Sequence, residues 1–327
     1  MIALLLATAL LSQPLTTHQI EDSVVPFVDQ IEDVTHLNPK KYSNSQFKSI
    51  SRALEHKEDC VRLATFNLLR IDIELNENKD PMNQWDHRLS RIVATIQEMN
   101  PDLIGTQEVA ETQLNDLLEQ LGNTYSFYGK PRKDGEYNGI FYRTDRFEPL
   151  NQNIFKVPDI EKDQLITFIE FKDLKTDKIF GLYNTHVSFS NINFRDTEAR
   201  YIANLLKNHS IPVLFSADVN TFPNRPEEPF PAYDGDYVEQ ILTQYDLKDS
   251  KDVSLLGHLG PLSTFTNVPG PDKTPFRGTG TPGVILDHIY VSPEISVLVH
   301  AIQPIKVDHR YPSDHMPVFI DFFIDKE

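Results

Sequence analysis

The sequence predicts a mixed α/β domain: two β-sheets packed face to face with helices on the outside, a four-layer sandwich. Three observations lead there. Strand-like segments outnumber helices and several are adjacent, so a simple βαβ alternation fails. The helical segments are amphipathic, with one face free to cover a sheet. Nearly every core strand ends in an acid, an amide or an imidazole, so that strands laid side by side in a sandwich would bring these groups to one edge. At 327 residues, 39% hydrophobic and 24% charged, the chain can bury a sizeable core and is neither disordered nor fibrous.

The elements read as follows. Residues 2–11 (IALLLATALL) are too short to span a bilayer but fit the apolar centre of a secretory signal, although no Lys or Arg precedes them. Residues 1–17 are therefore expected to be a signal peptide. Residues 18–60 read as a spacer or pro-segment, with weak helical periodicity near Ile20–Ile31 and Ser45–His56. Residues 61–327 form the main domain. Val61–Asn67 is a strand ending in a polar residue. Asp86 is a plausible N-cap for a helix carrying Leu89, Ile92, Val93, Ile96 and Met99, stopped by Asn100-Pro101. Asp102–Val109 is a mostly buried strand. A helix with Leu114, Leu117, Leu118 and Leu121 follows, with Gly122 as its C-cap. Strands are expected at Gly139–Arg143, Leu165–Phe171, Ile179–Thr185, Pro212–Ala217, Ile285–Val291 and Pro317–Phe323, with a helix over Thr197–Leu206. Phe222–Asp236 and Gly257–Gly283 are loops beside polar strand ends, where selectivity usually resides.

The bulk charge restricts function. Lys plus Arg is 31 and Asp plus Glu is 48, a formal charge of 31 − 48 = −17. A polyanion is repelled at long range, which weighs against non-specific nucleic-acid binding. A bound divalent ion and a local basic strip could still reverse the field at a nuclease site. Cys60 is the single cysteine, so no intramolecular disulfide and no thiolate zinc site can form. No nucleophile elbow, P-loop or dinucleotide fingerprint is present.

The strand-end residues carry the chemistry. Asn67 ends the first core strand, Glu108 the second, and His186 follows Tyr183-Asn184-Thr185. Asp218 and Asn220 follow Val213–Ala217, Asp287 and His288 lie within Leu286–Val291, and Asp314-His315 precedes Met316-Pro317-Val318. Each taken singly fits an Asx turn, a cap or a satisfied histidine. Glu108 is the hardest to read that way, because an acid on an apolar strand is costly to bury unless paired or metal-bound. Together they suit phosphoester hydrolysis. A hard divalent ion takes carboxylate and amide oxygens, a carboxylate orients water, and imidazolium groups bind phosphoryl oxygens. By contrast His87, His209, His258, His300 and His309 read as solvated, Trp85 as packing the first helix, and Met82, Met99 and Met316 as core or near-core.

The ordered set resembles the endonuclease/exonuclease/phosphatase superfamily, with the deoxyribonuclease I-like fold. The matching stretches are ATFNLLR (64–70), PDLIGTQEV (101–109), NGIFYRTDRFE (138–148), YNTHVSF (183–189), ADVNTFP (217–223), LSTFTNV (262–268), LDHIYVS (286–292) and SDHMPV (313–318). The resemblance implies that Glu108 is the principal metal ligand, with Asn67 and Asp314 close to the metal. It implies that Asp218 positions or activates the attacking water, with Asn220 holding phosphate or that water. His186 and His315 would bind phosphate or transfer protons, Asp287 would orient His315, and Asn138 would contact substrate. The implied cofactor is Mg²⁺ or Mn²⁺. Leu69 stands where some members carry a second acid. No Trp precedes Asp218 and no Cys-Asp-Arg lies near Asp287, which sets the chain apart from inositol 5-phosphatases.

The expected function is a metal-dependent hydrolase of a phosphodiester or phosphomonoester, monomeric and secreted or periplasmic, with a cytoplasmic location as the alternative. The competing activities are a nuclease on DNA or RNA and a sphingomyelinase-like phosphodiesterase. The latter would need an apolar hairpin, and the loop holding Phe265, Pro269, Pro271, Pro275 and Phe276 is a mild candidate. A non-catalytic binding protein on the same fold is the reading from a different class.

Overall fold

The computed structural model describes residues 18–31, 42–72, 80–158, 160, 163–189, 192–207, 209–222, 237–266 and 284–324. The expected signal run at 1–17 and most of the two Pro- and Gly-rich loops lie outside the described residues.

Two sheets form the core. One has seven strands: β11 (His258–Leu259), β13 (Ile295–Ile302), β15 (Val318–Ile324), β2 (Val61–Asn67), β3 (Leu103–Gln107), β5 (Ile140–Arg143) and β4 (Tyr125–Tyr128), in that spatial order. The other has six: β10 (Lys248–Asp249), β12 (Asp287–Val291), β9 (Val213–Asp218), β8 (Ile179–His186), β7 (Leu165–Asp173) and β6 (Phe147–Lys156). Both are mixed, with parallel pairs β2–β3 and β8–β9 at their centres. Leu63, Leu103, Ile169, Leu182, Leu214, Ile289 and Ile320 meet between the sheets. Helix α3 (Trp85–Met99) and α4 (Glu111–Leu121) cover the seven-stranded sheet, burying Ile92, Ile96, Leu114 and Leu117. Helix α5 (Ile192–Lys207) and α6 (Tyr237–Thr243) cover the other, through Ile202, Leu206, Val238 and Leu242. This is the expected four-layer sandwich.

Several details differ from expectation. Gln84, not Asp86, is the N-cap of α3, and Asp86 sits in the first turn, where its charge faces the helix dipole. Asn100 ends this helix in the left-handed region, as its type favours. The stretch Ile20–Ile31 is not one helix. Strand β1 (Ile20–Glu21) pairs with β14 (Lys306–Val307), and only Val25–Asp29 is helical (α1), opened by Pro26. Helix α2 (Asn44–Glu55) matches expectation and starts with a capping box from Ser43 and Gln46. The segment read as a spacer packs Val25, Val28, Ile50, Ala53 and Leu54 against Leu298, Val299 and Phe319. Met82 is 42% exposed rather than near-core, because it lies in a surface 3₁₀ turn.

Candidate active site

Strand register assembles the site. In the six-stranded sheet Asp218 sits beside His186 on parallel β8 and beside Asp287 on antiparallel β12. Residues paired across strands project to the same face, so these three side chains meet. In the other sheet Asn67 pairs with Gln107 at the ends of β2 and β3, and Glu108 is the next residue. Strand β15 pairs Val318 with Thr65, which brings the preceding Asp314-His315 loop to the same edge.

The groups touch. Asn67 Nδ2 donates to Asp218 Oδ2 at 3.0 Å and to Glu108 Oε1 at 3.3 Å, linking a carboxylate from each sheet. Glu108 Oε2 accepts from Arg70 N at 3.1 Å. His186 Nδ1 is 2.9 Å from Glu136 Oε1, and its Nε2 is 3.5 Å from Asp218 Oδ2 and 2.9 Å from Asn220 Nδ2. His315 Nδ1 is 2.8 Å from Asp287 Oδ2, and its Nε2 is 3.8 Å from Asp218 Oδ2. Asp218 is thus flanked by two imidazoles, each held from behind by a carboxylate. Ser313 Oγ donates to Asn67 O at 2.8 Å, and Asp314 is half-buried beside it. Asn138 is buried, and neither polar atom of its side chain has a partner in the structure.

The backbone here is strained. Leu69, Glu108 and Asn220 have φ of 55°, 57° and 49°. For the non-Asn pair this conformation costs about 1–2 kcal/mol each. Hydrogen bonds hold it: Leu69 N donates to Asn67 Oδ1 at 3.0 Å, and Asn220 N donates to Asp218 Oδ1 at 3.0 Å. Arg88, fully buried, donates to Leu68 O, Leu69 O and Pro312 O at 2.8, 2.8 and 3.0 Å. One guanidinium therefore ties the loop after Asn67 to the loop before Asp314.

Electrostatics follow from burial and pairing. Burial works against the His186 imidazolium, but Glu136 and Asp218 outweigh it and lift its pKa to about 9. Burial likewise opposes protonation of His315, and Asp287, Asp314 and Asp218 raise it well above the ordinary value. Burial raises Glu108, with Asp314 and Glu136 adding to it and His186 opposing. Burial also raises Asp218, against the pull of His186 and His315. Glu136 is lowered despite burial, because His186 and Arg132 favour its charged form.

This donor set suits a hard divalent cation. Carboxylate oxygens from Glu108 and Asp314 gather beside Asn67 where burial penalises negative charge, the Asn67 amide nitrogen facing Glu108 and Asp218, and Asp287 Oδ1 is buried with no partner. Asp218, Asp287 and His315 also form a close group, with candidate ligand atoms within 4.8 Å of one another. The 2.8 Å contact inside that group is a hydrogen bond from a ring N–H, so these residues read better as an orienting pair and its neighbour.

All nine residues singled out in the sequence lie at this edge. Sequence reasoning missed the layer behind them. Arg132 joins Glu136 Oε2 at 2.8 Å and Gln164 Oε1 at 2.7 Å. Gln164 Nε2 donates to His186 O, and Glu198 accepts from Ser188 N and Oγ. Thr264 Oγ1 accepts from Leu286 N and Asp287 N at 2.9 and 3.2 Å. Phe265 packs edge-on against His315, with centroids 5.1 Å apart. Glu136 stands two residues before Asn138, and that proximity was its one sequence signal. Three of the histidines read as solvated also need correction. His300 is buried and faces His258 at 3.0 Å between Nδ1 atoms, and His209 bonds Tyr183 Oη, whereas His87 and His309 are exposed. Only the tertiary pairing of distant strands and loops brings these partners together.

The description "Endonuclease/Exonuclease/phosphatase family" matches residues 64–315. No curated protein matches the sequence significantly. Among solved structures, an endonuclease/exonuclease/phosphatase from Bacteroides vulgatus is 26% identical with a TM-score of 0.65, over 81% of this chain and 99% of that one. The mannosyl-6-phosphatase Bt3783 of Bacteroides thetaiotaomicron is 22% identical with a TM-score of 0.64, over 81% and 100%. The human nocturnin catalytic domain, with bound sulfate, is 20% identical with a TM-score of 0.57, over 81% and 94%.

Proposed function

The chain belongs to the endonuclease/exonuclease/phosphatase family of phosphoester hydrolases, and on that premise we propose that it hydrolyses a small phosphoester by metal-assisted attack of water, with Mg²⁺ as the ion. The observation that carries this reading is the single amide of Asn67 bonded to Glu108 and Asp218, with an imidazole–carboxylate pair on either side of Asp218. Glu108, Asn67 and Asp314 would hold the ion, which when bound neutralises phosphoryl charge and stabilises the leaving oxygen. Asp218 accepts a hydrogen bond from the attacking water and aligns it with phosphorus. Asn220 supplies an amide beside it. His186 and His315, protonated at neutral pH, donate from Nε2 to non-bridging oxygens as charge builds there, and one of them protonates the leaving oxygen. Asp287 fixes the His315 ring, and Glu136 does the same for His186. The unpaired amide of Asn138 is a donor for the substrate.

The charge of −17 favours a small substrate over a nucleic-acid polymer. The relative acting on mannosyl-6-phosphate supports the same choice. The test is turnover of hexose phosphates, inositol phosphates, sphingomyelin, abasic DNA, plasmid DNA and RNA with Mg²⁺, Mn²⁺ or EDTA. A sugar phosphate cleaved with Mg²⁺ and spared in EDTA is the expected result. Preferential cleavage of DNA or RNA would replace this reading with a nuclease. Glu108→Gln should fold and lose turnover; a folded Glu108→Gln at full rate would overturn the assignment of the site.

A further inference from the structure

A second cavity, of about 210 Å³, lies at the end of the sandwich opposite the candidate active site. Strand β2 runs from one to the other, seven residues or about 20 Å. Arg52 and Asp59, from α2 and the turn after it, form one wall. Lys175 and Lys178, from the β7–β8 hairpin, form the other, and the partly exposed Phe323 and Ile324 form an apolar floor above the fully buried Phe180 and Phe322. Arg52 precedes residue 64, where the family match begins, and Phe322 follows residue 315, where it ends. The cavity therefore depends on parts of this chain outside the matched region.

Its charge runs against that of the whole molecule. Asp173 at the rim is fully engaged, accepting from Thr176 Oγ1 at 2.9 Å, Lys175 N at 3.0 Å and Arg146 at 3.4 Å. Lys175 Nζ donates to Glu58 O and lies 3.9 Å from Asp59 Oδ1. The side chains of Arg52 and Lys178 form no hydrogen bond or ion pair with any described residue. Two unpaired cationic side chains thus border an apolar floor in a protein of net charge −17. A cavity of about 150 Å³ can hold benzene, so this one has room for a ring and one charged group.

We propose that this cavity binds a small organic carboxylate with an apolar body, the size of benzoate, its carboxylate held by Arg52 and Lys178 and its body on Phe323 and Ile324. A guanidinium and an ammonium on facing walls can each hold one oxygen of a carboxylate, and the floor rewards the apolar part by removing it from water. The test is calorimetric titration of the full chain in EDTA with benzoate, against benzyl alcohol as a neutral ligand of similar shape. Benzoate should bind one saturable site at least 10-fold more tightly than the alcohol. Arg52→Glu with Lys178→Glu should weaken benzoate at least 10-fold at an unchanged unfolding midpoint. The milder Lys178→Gln should weaken it about 3-fold, and Asp218→Asn should leave it unchanged. Absence of saturable binding, equal affinity for the alcohol, or full benzoate affinity in the folded double variant would overturn the proposal. So would loss of binding in Asp218→Asn, which would move the anion to the candidate active site.

Discussion

Replacing Arg88 with Met tests whether a buried cation holds the site in shape. Met retains the aliphatic volume and removes three donors. Leu69 O keeps a partner in Gln113 Nε2 at 3.0 Å, whereas Leu68 O and Pro312 O lose the bonds from Arg88. Two buried carbonyls left short of a partner cost about 1–3 kcal/mol each. The left-handed backbone at Leu69 stores about 1–2 kcal/mol that Arg88 helps to restrain. Against this, the variant no longer dehydrates a guanidinium, which returns part of the loss. The net expectation is destabilisation by about 3–5 kcal/mol, within the range for breaking a buried charged contact. Urea unfolding should show it as a lower midpoint at constant slope. Because Arg88 bridges the loops carrying Asn67 and Asp314, the folded fraction should also lose turnover by about 10- to 100-fold, as displacements near 1 Å do. Arg88→Lys should fall between, since one ammonium cannot serve three carbonyls spread over two loops. A Met variant within about 0.5 kcal/mol of the parent, with unchanged kcat, would refute the reasoning.

Other perturbations follow from the same geometry. Gly105→Ala would drive a Cβ into Ser216 Oγ and Asn184 Oδ1, where the sheets join beneath the site, and should cost about 3 kcal/mol in thermal or urea unfolding; a stable Gly105→Ala protein would mean that the sheets can separate cheaply. Glu136→Gln removes the charge behind His186, so the His186 pKa should fall from about 9 by at least one unit in an NMR titration under EDTA. Acid should destabilise the fold through His300. Burial, with His258 adding to it, lowers its pKa to about 3, so its contribution is intact above 6.5 and is lost as pH falls from 6.5 through 3. The loss at pH 5 is about 2 kcal/mol, and His300→Gln should flatten that part of the stability–pH curve. Asp249, lowered to about 2 against the effect of burial by His288, adds a later loss as pH falls from 3.8 through 2.

Much of the site was legible because each of its residues sits at the end of a strand whose alternation or apolarity is local. Val61–Asn67 was bounded to the residue, and Asp218 closes its strand as the polar residue after Val213–Ala217. The N-cap of α3 was misplaced, since Gln84 and Asp86 differ only in which residue leaves the helical region. Strands β4 and β6 escaped notice, as did β13, one in from the edge of the seven-stranded sheet, because Ile295–Ile302 is largely apolar on both faces and carries no alternation to mark it.

By itself the sequence determined the order of most core elements, the two-sheet architecture and the set of oxygen and imidazole groups at strand ends, since each of these depends on spacing along the chain. Tertiary structure alone decided which carboxylate stands behind which imidazole, that Arg88 joins two loops, at Leu69 and Pro312, about 240 residues apart, and that Arg52 and Lys178 share a cavity. Those are contacts through space between residues whose local patterns are ordinary. Their energies arise from burial and from pairing with distant strands, and neither exists until the sheets have closed on each other.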